Sequence, residues 1–128
     1  MRNEDYKYSD ITSKVIKAFF KVYNSLGFGF LERVYENAMF IELNNMGLNV
    51  EKQKRLVVYY ENQQIGNYFA DFLIEEKVII ELKAVERLVE EHELQIINYL
   101  RATDLEVGLI LNFGKKPEFK RKIFTNKT

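Results

Sequence analysis

Apolar residues first recur at helical spacing. Ile11, Val15, Ala18, Phe19 and Val22 fall on one face, which predicts an amphipathic helix from Ile11 to about Ser25 with Ser9 or Asp10 as its cap. Gly27-Phe28-Gly29 breaks this pattern. It lacks the third glycine and the preceding strand of a dinucleotide loop, so it reads as an interhelical turn. A second helix is predicted from Phe30 to about Met46, with Leu31, Val34, Ala38 and Ile41 on one face and Gly47 as its C-cap. The period then falls to two. Lys54 to Tyr60, Ile65 to Ile74 and Val78 to Lys83 read as three strands joined by short polar turns. Arg87 to about Ala102 returns to helical spacing. Val107 to Phe113, VGLILNF, is an almost unbroken apolar strand, as expected when both faces are covered. Pro117 precedes a last short strand, Phe119 to Phe124.

This order is helix, helix, three-strand meander, helix, strand, strand. The third helix must carry the chain across the sheet, so the fourth strand should lie parallel to the third through a right-handed crossover. The expected fold class is α/β, a mixed central sheet flanked by helices. The 128 residues show no repeat, low-complexity run or linker and suit one domain, 1–128, with its core at about 10–125.

Two strands carry charges that do not belong in a core. VIIELK (Val78 to Lys83) alternates so that Ile79, Glu81 and Lys83 share one face. YFADFLI carries Asp71, an acid seldom buried in a strand unless paired. A [DE]xK tripeptide is weak evidence alone, because Asp5–Lys7, Glu75–Lys77 and Glu118–Lys120 also fit it. Only Glu81–Lys83 ends an apolar strand that follows another strand with its own acid. If Glu75, Glu76 and Lys77 form a three-residue loop, Ile74 pairs with Val78 and Asp71 falls opposite Glu81. Two carboxylates about 5 Å apart repel by roughly 3 kcal/mol at an effective dielectric near 20. A shared proton, the Lys83 ammonium or a divalent cation can each relieve this.

Composition narrows the chemistry. There is no Cys and His92 is the only histidine, so a Cys/His zinc site cannot form and any metal must sit among oxygens, which suits magnesium, manganese or calcium. No run approaches the roughly 18 apolar residues of a membrane span. The polar start, Met1 to Asp5, does not read as a signal peptide, so the expected location is cytoplasmic with no membrane partner. The net charge is zero, but seven Glu lie between Glu75 and Glu93 and six Lys/Arg between Lys115 and Thr128. An acidic middle suits a cation, and a basic tail suits a polyanion.

Asp71 followed by Glu81-Leu82-Lys83 resembles the signature of the PD-(D/E)XK nuclease superfamily, with Ala70 where the superfamily's name has Pro. Gly29, Glu32 and Tyr35 in GFLERVY, with HELQIINYL and LEVGLILNFG, resemble the GxxExxY family within it. The resemblance implies that Asp71 and Glu81 bind Mg²⁺ or Mn²⁺ with the Leu82 carbonyl. Lys83 would then hold or activate the attacking water, and Glu32 would add a metal or water-mediated contact. Gln95 resembles a glutamine that lines the site from the helix after the Lys strand, and His92, Gln95 and Tyr99 fall together at helical spacing. His92 and Tyr99 are supporting residues, as is Tyr35, read as core packing with a hydroxyl that reaches a partner.

The function so implied is Mg²⁺-dependent hydrolysis of DNA phosphodiesters in repair, recombination or defence. Phosphate contacts are expected from Lys115, Lys116, Lys120, Arg121 and Lys122, and from Lys52, Lys54 and Arg55. A domain this small grips a duplex poorly, so a homodimer or a larger protein partner is expected. The alternative is a non-catalytic nucleic-acid- or protein-binding module that keeps the fold. A phosphohydrolase acting on small phosphate esters is a weaker third reading.

Overall fold

The computed structural model describes residues 7–125. Asp5 of the first tripeptide and Lys127 of the basic tail lie outside them. Eight elements follow in order: α1 (Ser9–Leu26), α2 (Glu32–Asn45), β1 (Val50–Tyr60), β2 (Gln63–Ile74), β3 (Val78–Lys83), α3 (Glu90–Arg101), β4 (Val107–Phe113) and β5 (Pro117–Ile123). The strands form one sheet in chain order. β3 and β4 run parallel and the other neighbours antiparallel, with α3 as the crossover. This is the mixed α/β sheet that the element order predicts.

Helices cover both faces. α1 and α2 pack on one, over Phe72, Ile74, Val78, Ile80 and Leu82. α3 packs on the other through Ile96, Tyr99 and Leu100, against Leu73, Ile79 and Ile110. β4 lies between the two layers and is buried at every position, which accounts for its unbroken apolar run. Gly108 lets α3 come down onto it, since a Cβ there would stand 2.6 Å from the Ile96 side chain.

Two local expectations are corrected. Neither Ser9 nor Asp10 caps α1. The Tyr8 carbonyl accepts the amides of Ile11 and Thr12 at 3.0 Å each, so backbone rather than a side chain closes the first turn. α2 also presents a different face. Tyr35, Met39 and Leu43 are its buried residues, while Leu31 and Ile41 stand 79% and 59% exposed. The Tyr35 ring decides this: it stacks on Phe113 at 4.1 Å, and its hydroxyl donates to the Gly27 carbonyl at 2.7 Å and accepts from the Phe30 amide at 3.2 Å. The ring is buried against another ring and its polar end is satisfied. Gly47, at φ 79°, follows the Met46 cap in the left-handed position that ends many helices.

The strand alternation breaks at one level. Phe72 and Ile74 face α1 and α2, yet Ala70 faces α3. On β1, Val50 packs with the first cluster and Leu56 with the second, although an even number of residues separates them. The register stays constant across this point, with Lys52 opposite Phe72 and Lys54 opposite Ala70. Both strands therefore turn over together at Gln53 and Asp71. Gln53 absorbs the change with φ at 49°, a region that residues bearing a Cβ seldom adopt.

Candidate active site

The site begins with the turn between β2 and β3. Glu75 and Glu76 both take positive φ, 54° and 58°, and the Lys77 amide closes the turn on the Ile74 carbonyl at 2.9 Å. Ile74 pairs with Val78 and Phe72 with Ile80, so the next step of that register sets Asp71 opposite Glu81. Glu81 thus follows Ile79 on the α3 face, and the Asp71 carboxyl lies near enough on the adjacent strand for its charge to act on it.

Glu81 is 6% exposed, and its Oε1 is buried with no hydrogen-bond partner. Burial first, then the Asp71 charge, pushes its carboxyl up to about 8, with Lys83 pulling the other way. Asp71 is also raised, chiefly by burial. The Leu82 amide, which donates to its Oδ2 at 2.7 Å, and the Gln53 amide oppose that rise. Lys83 Nζ donates to Gln95 Oε1 at 3.2 Å, which ties the end of β3 to α3. Tyr99 is pushed up to about 12 by burial, by Glu81 and by Asp71, while a hydrogen bond with Gln95 opposes the shift. Asp71, Glu81, Lys83, Gln95 and Tyr99 are therefore neighbours.

The carboxyl pair fits a hard cation. A buried carboxylate oxygen is an acceptor only, and left unpaired it is costly. A divalent ion would remove both that cost and the Asp71–Glu81 repulsion. Among the described residues, no three His, Asp or Glu side chains converge on one point. Two carboxylates nonetheless suit magnesium, which commonly takes one or two from the protein and completes its shell with water and substrate phosphate.

Other sequence-predicted residues fall elsewhere. Glu32 opens α2 and is exposed. The helix acid whose charge bears on Asp71 is Glu36, one turn later. Gln53 joins the two, donating from Nε2 to Glu36 Oε2 at 3.0 Å and to Asp71 Oδ1 at 3.2 Å. His92 Nδ1 accepts the Val89 amide at 3.1 Å and so caps α3. Tyr35 sits in the first core.

The basic residues divide. Lys115 and Lys116 are exposed in the β4–β5 turn, at the sheet end where Lys83 stands opposite Asn112. Lys120 is exposed on β5, whereas Lys122 pairs with Glu93 and Arg121 donates to the Lys7 carbonyl. Of the second cluster, Lys52 lies over the Phe40 ring at 4.7 Å, Lys54 pairs with Glu51 at 3.5 Å and Arg55 donates to Asn67 at 3.2 Å.

Sequence reasoning missed Gln53, Glu36 and Asn112. Asn112 is wholly buried. It donates to the Val85 carbonyl at 3.0 Å and to Glu118 at 3.1 Å, and accepts the Val85 amide at 3.0 Å. It therefore anchors the chain just after Lys83. An amide inside VGLILNF was the available signal.

Comparison with known proteins agrees with this architecture. Residues 9–122 match a family model described as the PD-(D/E)XK nuclease superfamily. No curated protein matches. Among solved structures, the crystal structure of SSO0001 is similar with a TM-score of 0.61 at 14% identity, over 74% of this chain. At that identity the likeness concerns the fold. This chain spans 50% of that one's length.

Proposed function

The chain belongs to the PD-(D/E)XK nuclease superfamily, and from that premise we propose that it hydrolyses DNA phosphodiester bonds with Mg²⁺ or Mn²⁺. The observation that carries the reading is the Asp71–Glu81 carboxyl pair, with its partnerless buried oxygen, beside the Lys83 ammonium. The resemblance to the GxxExxY family, through Gly29, Glu32 and Tyr35, supports the same reading.

Asp71 and Glu81 would hold the ion, with the carbonyl of Leu82, the residue after Glu81, beside them. A bound divalent ion supplies positive charge to the phosphate and acidifies water. The protein's own groups do the rest. Lys83 Nζ, held by Gln95, presents a fixed cation to a non-bridging phosphate oxygen and to the attacking water. The Leu82 amide fixes Asp71 Oδ2 and the Gln53 amide fixes Oδ1, so the carboxylate is held in one orientation. Glu32 stands at the start of α2 as a further acid for a water-mediated contact. Lys115, Lys116 and Lys120 would lead the phosphate backbone in, with Arg121 and Lys122 behind them. A homodimer or a larger partner would extend this short grip.

One observation favours a second reading. No third acid closes on the pair among the described residues, which suits a binding module that keeps the fold without cutting. Supercoiled, single-stranded and branched DNA incubated with Mg²⁺, Mn²⁺ or EDTA separates the two. Metal-dependent cutting that Lys83→Ala abolishes while binding persists supports the nuclease. Binding by wild type without cutting under any metal supports the module.

A further inference from the structure

We propose that the cleft between α3 and the outer part of the β1–β2 hairpin is a base subsite, seating one unpaired nucleobase of the strand whose phosphate lies at Asp71 and Glu81. This assigns single-stranded or gapped nucleic acid, rather than intact duplex, as the substrate class. It builds on the nuclease reading for the position of the phosphate.

The cleft exists because both hairpin strands turn over at Gln53 and Asp71, which brings Leu56 and Tyr68 round to α3. It encloses about 620 Å³, within the range of cavities that hold small organic ligands. Tyr59, Tyr68 and Tyr99 give it three aromatic rings, of which Tyr59 and Tyr68 are 60% and 51% exposed. Tyr68 and Tyr99 lie 5.6 Å apart, tilted by 41°, so Tyr68 keeps ring surface open to the cleft.

Three features select the occupant. The cleft is continuous with the reactive groups, since Gln95 lines it and also holds Lys83, and Tyr99 lines it and feels both carboxylates. A ligand that fills both places needs an anionic part and a flat apolar part on one short chain, and a nucleotide has both. The lining carries one cation, Arg101, and one anion, Glu91. It therefore has no net charge to draw a second phosphate, and a neutral ring suits it better. Gln95 and Asn98 add amide donors and acceptors at its edge, which match a base with an apolar face and polar rim. Bases stacked inside a duplex offer no free face to such rings.

The test uses a single-stranded oligonucleotide carrying 2-aminopurine, and its duplex, titrated with the protein in EDTA so that nothing is cut. Expected is quenching of the single-strand probe but not of the duplex, with affinity reduced about tenfold in Tyr68→Ala and in Tyr59→Ala. Both side chains are exposed, so circular dichroism should match wild type. Where wild type cuts DNA with Mn²⁺, gapped or single strands should be cut faster than duplex, and Tyr68→Ala should erase that preference while residual duplex cutting persists. Base seating and hydrolysis fail separately: a wild type that cuts nothing but quenches the probe keeps the subsite and sinks the nuclease. Equal probe affinity in wild type and both tyrosine variants overturns the subsite. So does a wild-type dimer in sedimentation that Tyr59→Ala and Tyr68→Ala dissociate, because a second copy would then be the occupant.

Discussion

Gln53 stands across the β1–β2 ladder from Asp71 and donates from one amide nitrogen to that carboxylate and to Glu36. Two like charges are thereby held near each other by a neutral donor. The backbone that delivers it is left-handed at φ 49°, which costs a residue with a Cβ roughly 1 kcal/mol or more relative to glycine. Strain kept beside a carboxyl cluster is a common mark of a working site.

Gln53→Gly should therefore separate stability from function. Removing the Cβ should relieve about 1 kcal/mol of backbone strain, which the loss of the two amide hydrogen bonds offsets, so Tm should stay within about 4 °C of wild type. Loss of the amide should weaken Mn²⁺ binding by about 10–100-fold, as loss of outer-sphere partners usually does. Thermal melts and calorimetric titration with Mn²⁺ check both. Unchanged Mn²⁺ affinity would leave Gln53 a mere kink.

The Glu81 carboxyl sets a pH dependence of known sign. It titrates at about 8 when folded and at about its ordinary 4.5 when unfolded, so the folded state binds the extra proton between these values. Metal-free stability should fall as pH rises from about 4.5 to about 8 and flatten above. The loss should reach about 3 kcal/mol by neutral pH. Asp71, shifted in the same direction, adds to it. Glu81→Gln should flatten the curve. Denaturant melts in EDTA across this pH range read it directly, and stability that rises with pH would contradict the assignment.

Divalent ions should reverse that loss. Binding to the native pair replaces the proton, so Mg²⁺ or Mn²⁺ should raise Tm near pH 8, by about 2.7 kcal/mol of stability at a hundred times Kd. EDTA should remove the effect, and Asp71→Asn should abolish it while stabilising the metal-free protein. Calorimetry in two buffers of different ionisation heat would show proton release. No melting shift at millimolar Mn²⁺ would leave the pair without its ion.

Asn112 predicts a structural effect at a distance from the acids. Asn112→Leu strips the Val85 amide and carbonyl of their partners, and each buried unpaired group costs about 1–3 kcal/mol. Gly114→Ala should act on the same segment, because a Cβ would stand 2.4 Å from the Val85 carbonyl oxygen. Urea melts should show both variants destabilised by about 2 kcal/mol or more. A neutral Gly114→Ala would mean that the chain after Lys83 gives way easily.

The elements were legible in the sequence because periodicity reports burial. The helical spacing of Ile11, Val15 and Val22, four and then seven residues, found α1, and the unbroken run of β4 announced two covered faces. Asp71 and Glu81 were legible because acids in apolar strands need a reason, and because a three-residue loop fixes parity. What escaped depends on tertiary contact. The buried face of α2 follows the Tyr35–Phe113 stack, which no helical wheel contains. Gln53 escaped because its role comes from a backbone angle. Glu36 escaped because its closeness to Asp71 is set by how α2 packs beside β1, which the sequence pattern does not contain.

Surface loops usually tolerate changes of length. The β2–β3 turn should not, though it lies partly in solvent. Glu75 there is latched to Asn49 by two hydrogen bonds, 2.8 Å and 2.6 Å long, which tie the turn to the end of the preceding helical hairpin. A deletion that kept a three-residue turn by drawing in Ile74 would slide Asp71 against Ile80 and leave Glu81 opposite Ala70. Natural relatives of this chain should then vary the identity of residues 76 and 77 freely, keep an acceptor side chain at 75, and change the number of residues hardly at all.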